Sequence, residues 1–321
     1  MKSLKKVCCA VLAVMMLLSL CACGSKAPET TTAAPTTNAP ETTAAPETTA
    51  APETTAAPET TAAPAEKTML EQIKESGVLS VALSPDFAPM EFVDISKTGQ
   101  DQYVGFDVSL AKFIASELGV ELEIQAMNFD ACQTAVYTGA VPMSISGFSW
   151  TEERAQNYEM SDPYYAGDNE TEQVILILAE NADVYTKAED FAGKDVGAQI
   201  ASLQMQLLTS QIPDANPIPI GDIGQGVLEL KSGNIEALAV AKGNAEAIMV
   251  NNPELVVCDW QFEVASELEN NLILIHKGET DLLEAVNAIL AKAYAAGYYG
   301  QWYADAEALS KGENAQEVSV D

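Results

Sequence analysis

The stretch GFDVSLAKFIASELGVELEIQA, residues 105–126, sets two periodicities side by side. Residues 106–118 place apolar side chains at helical spacing, and residues 120–126 return to the pattern of a strand. The same alternation extends in both directions. Residues 78–83 read as a strand, 129–137 as a helix and 143–146 as a strand. Further strands are expected at 174–178, 195–198, 217–220, 235–240, 255–257 and 272–275, with helices at 202–210, 224–231, 243–251 and 281–296. Short strands interleaved with helices predict an α/β fold with largely parallel sheets. Ligands of open α/β sheets bind at the carboxyl ends of strands, so the residues after 143–146 are candidates for a site.

The two ends differ from this body. Lys2, Lys5 and Lys6 precede an apolar run over 7–20, the form of a secretory signal and too short for a comfortable membrane span. The run ends in Leu20-Cys21-Ala22-Cys23-Gly24, which resembles the lipobox of bacterial lipoproteins. That resemblance implies a signal peptide over 1–22 and a diacylated Cys23; an ordinary signal peptide cut nearby would instead leave a secreted protein. Residues 23–65 are mainly Ala, Pro, Glu and Thr, with Pro40, Pro46, Pro52, Pro58 and Pro64 six residues apart. With no aliphatic side chain larger than alanine, the segment cannot bury enough surface to offset the entropy of ordering. It reads as an extended tether with a reach on the order of 100 Å, at about 3.1 Å per residue.

Acidic residues number 47 against 16 Lys and Arg, and loss of the three signal lysines takes the formal charge from -31 to -34. Such a surface repels nucleic acid. After Cys23 the only cysteines are Cys132 and Cys258, each in an apolar stretch, which reads as two buried thiols and neither a disulfide framework nor a zinc site. The only arginine is Arg154 and the only histidine is His276. A lone guanidinium among lysines suits bidentate capture of a carboxylate, while a surface pair with Glu153 or Glu159 is the plainer reading.

Several motifs in order along the chain resemble the family 3 extracellular solute-binding proteins, the amino-acid receptors of ABC importers. They are Ile73 to Ala82 as an opening strand, Phe87-Ala88-Pro89-Met90-Glu91-Phe92, Gly105-Phe106-Asp107-Val108, and Ser146-Gly147-Phe148-Ser149. Thr151, Glu153 and Arg154, then Ser161-Asp162-Pro163-Tyr164-Tyr165, Val196-Gly197-Ala198-Gln199 with Ser202, and Lys277-Gly278 continue the series. The resemblance implies the two-lobed, type II periplasmic-binding-protein-like α/β fold with a ligand cleft between lobes. Lobe one would be 66–166 and 271–321, and lobe two 167–270, with hinges near 169–173 and 265–271.

It also implies the site. Arg154 would bind a ligand carboxylate, helped by the small residues Ser146, Gly147 and Ser149, whose backbone N–H groups and hydroxyls would face the anion. Phe87 and Phe129 would sandwich the rest of the ligand, although both also read as ordinary core aromatics. Ser202 would add a hydroxyl from lobe two and equally reads as the N-cap of the next helix. Tyr164 and Tyr165 would pack at the hinge. No metal or cofactor is implied. The partners would be a small-molecule carboxylate and a membrane permease, for a lipid-anchored monomer on the extracellular face of the cell membrane.

One departure bears on specificity. Relatives place an aspartate for the ligand's ammonium group where this chain has Ala241, so Asp86, Glu91 or Asp168 would have to substitute, or the ligand is not a standard α-amino acid. Ser109, Ala140, Pro142 and Ala201 also depart from the pattern and touch the scaffold more than the site. Two other functions fit the same fold: a signalling receptor, and a dehydratase acting on a cyclic carboxylic acid with Glu91 or Asp130 as its acid. His276, at a strand end, reads as structural.

Overall fold

The structure is a computed structural model that describes residues 67–165, 172–268, 270–312 and 315–316. The expected signal peptide, Cys23, the tether and Asp168 lie outside the described residues, as does the first expected hinge except for Glu172 and Gln173.

The body holds two five-stranded sheets, numbered here along the chain. The first has the order β4-β1-β5-β12-β6, with β1 Val78–Leu83, β4 Glu121–Ala126, β5 Met143–Ser149, β6 Tyr158–Met160 and β12 Asn271–His276. Strand β1 runs parallel to β4 and β5, and β12 is antiparallel to both its neighbours. The second has the order β11-β7-β10-β8-β9, with β7 Gln173–Leu178, β8 Asp195–Gln199, β9 Asn216–Ile220, β10 Ala237–Ala241 and β11 Leu255–Gln261. Here β8, β9 and β10 are mutually parallel, and β7 is antiparallel to β10 and β11. Each sheet centres one lobe, giving the two-lobed α/β architecture. A small sheet of β2 Phe92–Asp94, β3 Tyr103–Val104 and β13 Ala315–Gln316 completes the strands.

Helices form where the sequence supplies both an apolar stripe and an end signal. α1 Met69–Ser76 starts at a capping box between Thr68 and Glu71 and stops at Gly77, φ 72°. The resemblance reads Ile73 onward as strand; the cap and the left-handed stop instead keep residues 73–76 helical, and the strand begins at Val78. α2 Phe106–Leu118 lies on the first sheet, followed by α3 Phe129–Tyr137 and α4 Glu152–Asn157. In the second lobe α5 Leu203–Gln211 covers one face of the sheet. α6 Ile223–Lys231 and α7 Lys242–Asn251 cover the other. α8 Thr280–Ala295 and α9 Tyr298–Ser310 return to pack on α2.

The cores explain the sequence patterns. Phe106 is fully buried, with the rings of Tyr165, Tyr299 and Tyr164 at 4.8, 5.8 and 6.0 Å. Full burial of one such side chain contributes about 1.5–3 kcal/mol. In β7, Ile175 and Ile177 enter one cluster while Val174 and Leu176 enter another. Burial on both faces is why that strand reads as a continuous apolar run. Cys132 and Cys258 are buried free thiols, and the His276 ring meets the Val136 carbonyl through Nδ1 at 2.8 Å.

Candidate functional site

Strand β5 runs to Ser149, three residues beyond its expected end, and its pairing with β12 shifts register between Leu272 and Leu274. Ser144 pairs with Leu274 and Phe148 with Leu272, so the irregularity puts extra residues on β5 around Gly147, whose φ is +56°. A bulge of this kind re-aims the side chains that follow it. A Cβ at Gly147 would lie 2.8 Å from Phe87 Cε1, so glycine lets that ring lie against the strand.

Arg154 is carried by α4, whose N-cap is Thr151; the Thr151 hydroxyl accepts from Arg154 N at 3.1 Å. The side chain is 4% exposed, and among the described residues it has no carboxylate partner within ion-pair distance; the ion pairs there all use lysine. Neither Glu153 nor Glu159 holds it. Its guanidinium donates to Ser149 O at 2.8 Å, Ala201 O at 2.8 Å and Gln133 Oε1 at 3.2 Å. Its Cζ lies 5.3 Å from the Phe148 ring centre and 5.6 Å from that of Phe129, and these two rings stack at 4.9 Å. Burial lowers its pKa to about 10, which leaves it charged at neutral pH.

The seven residues singled out in the sequence border one cavity between the lobes: Phe87, Phe129, Ser146, Gly147, Ser149 and Arg154 from the first, Ser202 from the second. Gln173, Gln199, Gln204 and Asn271 add a ring of amides, and Leu203 and Ile223 add apolar surface. The enclosed space is about 30 Å³, room for a water molecule or two. A larger groove of about 290 Å³, bordered by Ala88, Phe92, Ala247 and Ile248, has no charged side chain in its lining among the described residues.

The turn differs from expectation in its donors. The Gly147 N–H donates to Asp107 Oδ2 at 2.9 Å, and the Ser146 hydroxyl donates to Glu91 Oε1 while accepting from Ser84 N. These groups face buried acids beneath the strand and are not turned toward an anion in the cavity. Tyr164 and Tyr165, expected at the hinge, meet its second segment at Asn271: Tyr164 N donates to Asn271 O and Asn271 N to Tyr165 O, both at 3.0 Å, while the Tyr164 hydroxyl donates to the same Asp107 oxygen at 2.9 Å. Ser202 Oγ accepts from Met205 N at 3.1 Å, so it caps α5 as well as bordering the cavity.

Three buried carboxyl groups lie close to the site. Burial raises the Asp86 pKa to about 6, with the bonds from Ser84 and Ile223 opposing the shift. Burial first, then the neighbouring Asp107 charge, holds Glu91 well above the usual carboxylate range. Asp107 is raised by burial. Glu91 and Asp130 do not border the cavity. Ala241, 1% exposed, pairs in register with Gln173, and the ammonium of Lys242 meets Glu172 at 2.8 Å.

Two contacts were not legible beforehand. Gln133 holds the guanidinium from α3 but reads in the sequence as a polar residue on a helix. Ala201, read as scaffold, touches the site through its carbonyl. It occupies the left-handed region at φ 59°, a backbone state that glycine adopts more readily than alanine.

Comparison with known proteins agrees with this architecture. The chain is 29% identical over 221 residues to a probable histidine-binding protein of Campylobacter jejuni, covering 69% of this chain and 81% of that protein. It is 26% identical over 230 residues to the L-cystine-binding protein TcyJ of Escherichia coli K12, covering 71% and 82%. Among solved structures it is similar to the amino acid ABC transporter substrate-binding protein AbpA of Streptococcus pneumoniae bound to L-arginine. That likeness has a TM-score of 0.69 and 33% identity, over 76% of this chain and 100% of the other. Residues 79–305 match the profile of the bacterial extracellular solute-binding proteins, family 3, and the chain belongs to that family.

Proposed function

We propose that this chain is the solute-binding component of an ABC importer and captures a small carboxylate, an amino acid or a related compound, between its lobes. The observation that carries the reading is Arg154, a buried guanidinium at the edge of the interlobe cavity with no acidic partner among the described residues. A guanidinium has five N–H donors, and three are engaged by Ser149, Ala201 and Gln133. One N–H on each terminal nitrogen remains for a carboxylate. Phe87 and Phe129 border the same space and take the body of the ligand, while Ser146, Gly147, Ser149 and Ser202 shape it.

Ligand-sized pockets run from about 300 to 1,000 Å³, so the lobes separate to admit solute and close over it. The bonds Arg154–Ala201, Gln199–Asp86, Ile223–Asp86 and Asn244–Ala88 cross the cleft and reform on closure. Binding works by differential affinity for the closed state, with no covalent step. In the same reading Cys23 carries the lipid anchor, residues 23–65 form the tether, and a monomeric body delivers its ligand to a membrane permease outside the cell.

Calorimetry of the full-length protein in detergent, titrated with amino acids and related carboxylates, tests the proposal. A charge-assisted hydrogen bond contributes about 1.5–3 kcal/mol, so Arg154→Ala should weaken binding at least about tenfold. Equal affinity in the parent and the variant would refute the assignment, and a new product in the incubated mixture would favour an enzyme.

A further inference from the structure

We infer that Glu91 and Asp107 share one proton at neutral pH, and that this carboxyl–carboxylate pair holds the Ser146–Gly147 turn of β5 where it borders the interlobe cavity. Both side chains are fully buried. Each commits one oxygen to the core around that turn. Glu91 Oε1 accepts from the Ser146 hydroxyl, and Asp107 Oδ2 accepts from Gly147 N and from the Tyr164 hydroxyl, both at 2.9 Å. The other two oxygens, Glu91 Oε2 and Asp107 Oδ1, are buried and meet no N–H or O–H donor among the described residues. The two carboxyl groups lie side by side, within reach of a mutual hydrogen bond.

Ionised carboxylates only accept hydrogen bonds, so two of them could not satisfy one another. They would also set like charges together in the core, and no ion pair among the described residues includes either. One retained proton answers both difficulties: it cancels one charge, and it turns one orphaned oxygen into a donor for the other. Burial and the adjacent Asp107 charge, which hold Glu91 above the ordinary carboxylate range, act with this geometry. The other titratable groups that act on the pair are Asp86, Tyr164 and Cys132, and none of them supplies a positive charge. Neither acid borders the cavity, whereas Ser146 and Gly147 do. The pair is therefore a positioning device that acts on the site through the turn above it.

Amide substitutions in the full-length protein test the inference. In Glu91→Gln or Asp107→Asn the new NH2 group can donate to the remaining carboxylate as the shared proton does, so each single variant should nearly keep the urea midpoint of the parent. In the double variant two NH2 groups face each other without an acceptor. Its unfolding constant should rise at least about tenfold beyond the product of the two single effects. Two ionised acids predict the opposite, since each substitution would then remove a buried charge; an additive or stabilising double variant overturns the inference. Infrared spectra at about pH 8, above the Asp86 value of about 6, give a readout separate from stability and decide the matter if the double variant does not fold. The parent should show the C=O band of a buried protonated carboxyl, and Glu91→Gln should lack it; a band missing from the parent or kept by the variant sinks the shared proton. Hydrogen exchange reads the turn itself. Relative to Val81 N–H on β1, Gly147 N–H should exchange faster in the double variant and at the parent's rate in Glu91→Gln; an unchanged ratio in the double variant would show that the pair does not hold the turn.

Discussion

Arg154 Nη2 donates to the carbonyl of Ala201 at 2.8 Å, joining a helix of the first lobe to the turn after β8 in the second. The contact is made by a backbone group, that of a residue in a conformation that L-residues rarely adopt. A left-handed alanine costs about 1–2 kcal/mol, part of which glycine recovers. Ala201→Gly should raise unfolding stability by about 0.5–1 kcal/mol in urea melts, with the Arg154 contact kept.

Arg154 itself should trade stability against binding. It is a buried charge held by two carbonyls and an amide, and replacing such a group with an apolar one of similar volume is often neutral or stabilising. Arg154→Met should change the stability of the ligand-free protein by less than about 1 kcal/mol while lowering carboxylate affinity at least about tenfold. Paired denaturation and calorimetry check both halves.

Asp86, whose Oδ2 accepts from Gln199 Nε2 and Ile223 N of the second lobe, should give the fold a dependence on pH. Its pKa rises from 3.8 to about 6 on folding, so the folded state holds the proton more tightly than the unfolded chain. The associated stability is fully present below about pH 4 and is lost as pH rises through about 6, a change of order 3 kcal/mol. Glu91 and Asp107 act in the same direction, and Asp222 faces Asp86 as a like charge. Thermal melts from pH 4 to pH 7 should therefore fall more steeply for the parent than for Asp86→Asn; parallel curves would refute the assignment.

Gly147→Ala should be poorly tolerated. It would place a methyl 2.8 Å from Phe87 Cε1 at a φ of +56°, so strain and ring displacement add. A loss of about 1–3 kcal/mol is expected, with weaker binding than Ala201→Gly shows under the same conditions.

The α/β alternation was legible because its signals are local. β7 is apolar on both faces, α2 carries a buried stripe, and both patterns survive in a bare string of letters. α4 and β6 were missed because elements of six and three residues are too short to show a period. α1 did carry a signal, the pairing of Thr68 with Glu71, outweighed by reading the neighbouring apolar residues as strand. The site was legible as residue types around Arg154, but not as directions. Nothing in the letters tells that the Gly147 N–H and the Ser146 hydroxyl point down to Asp107 and Glu91, since that follows from a bulge formed against the distant β12. The buried acids were equally hard to single out in a chain with 47 acidic residues.

The position of β12 bears on how the protein is made. It lies between β5 and β6, and Ile275 pairs with Met143 on one side and with Glu159 on the other. The nascent first lobe has a gap in the middle of its sheet until Asn271–His276 has been synthesised. Long-range pairing of this kind is slow and comes late. The first sheet thus stays incomplete for most of the chain's elongation, and its closing strand is among the last described elements to be made.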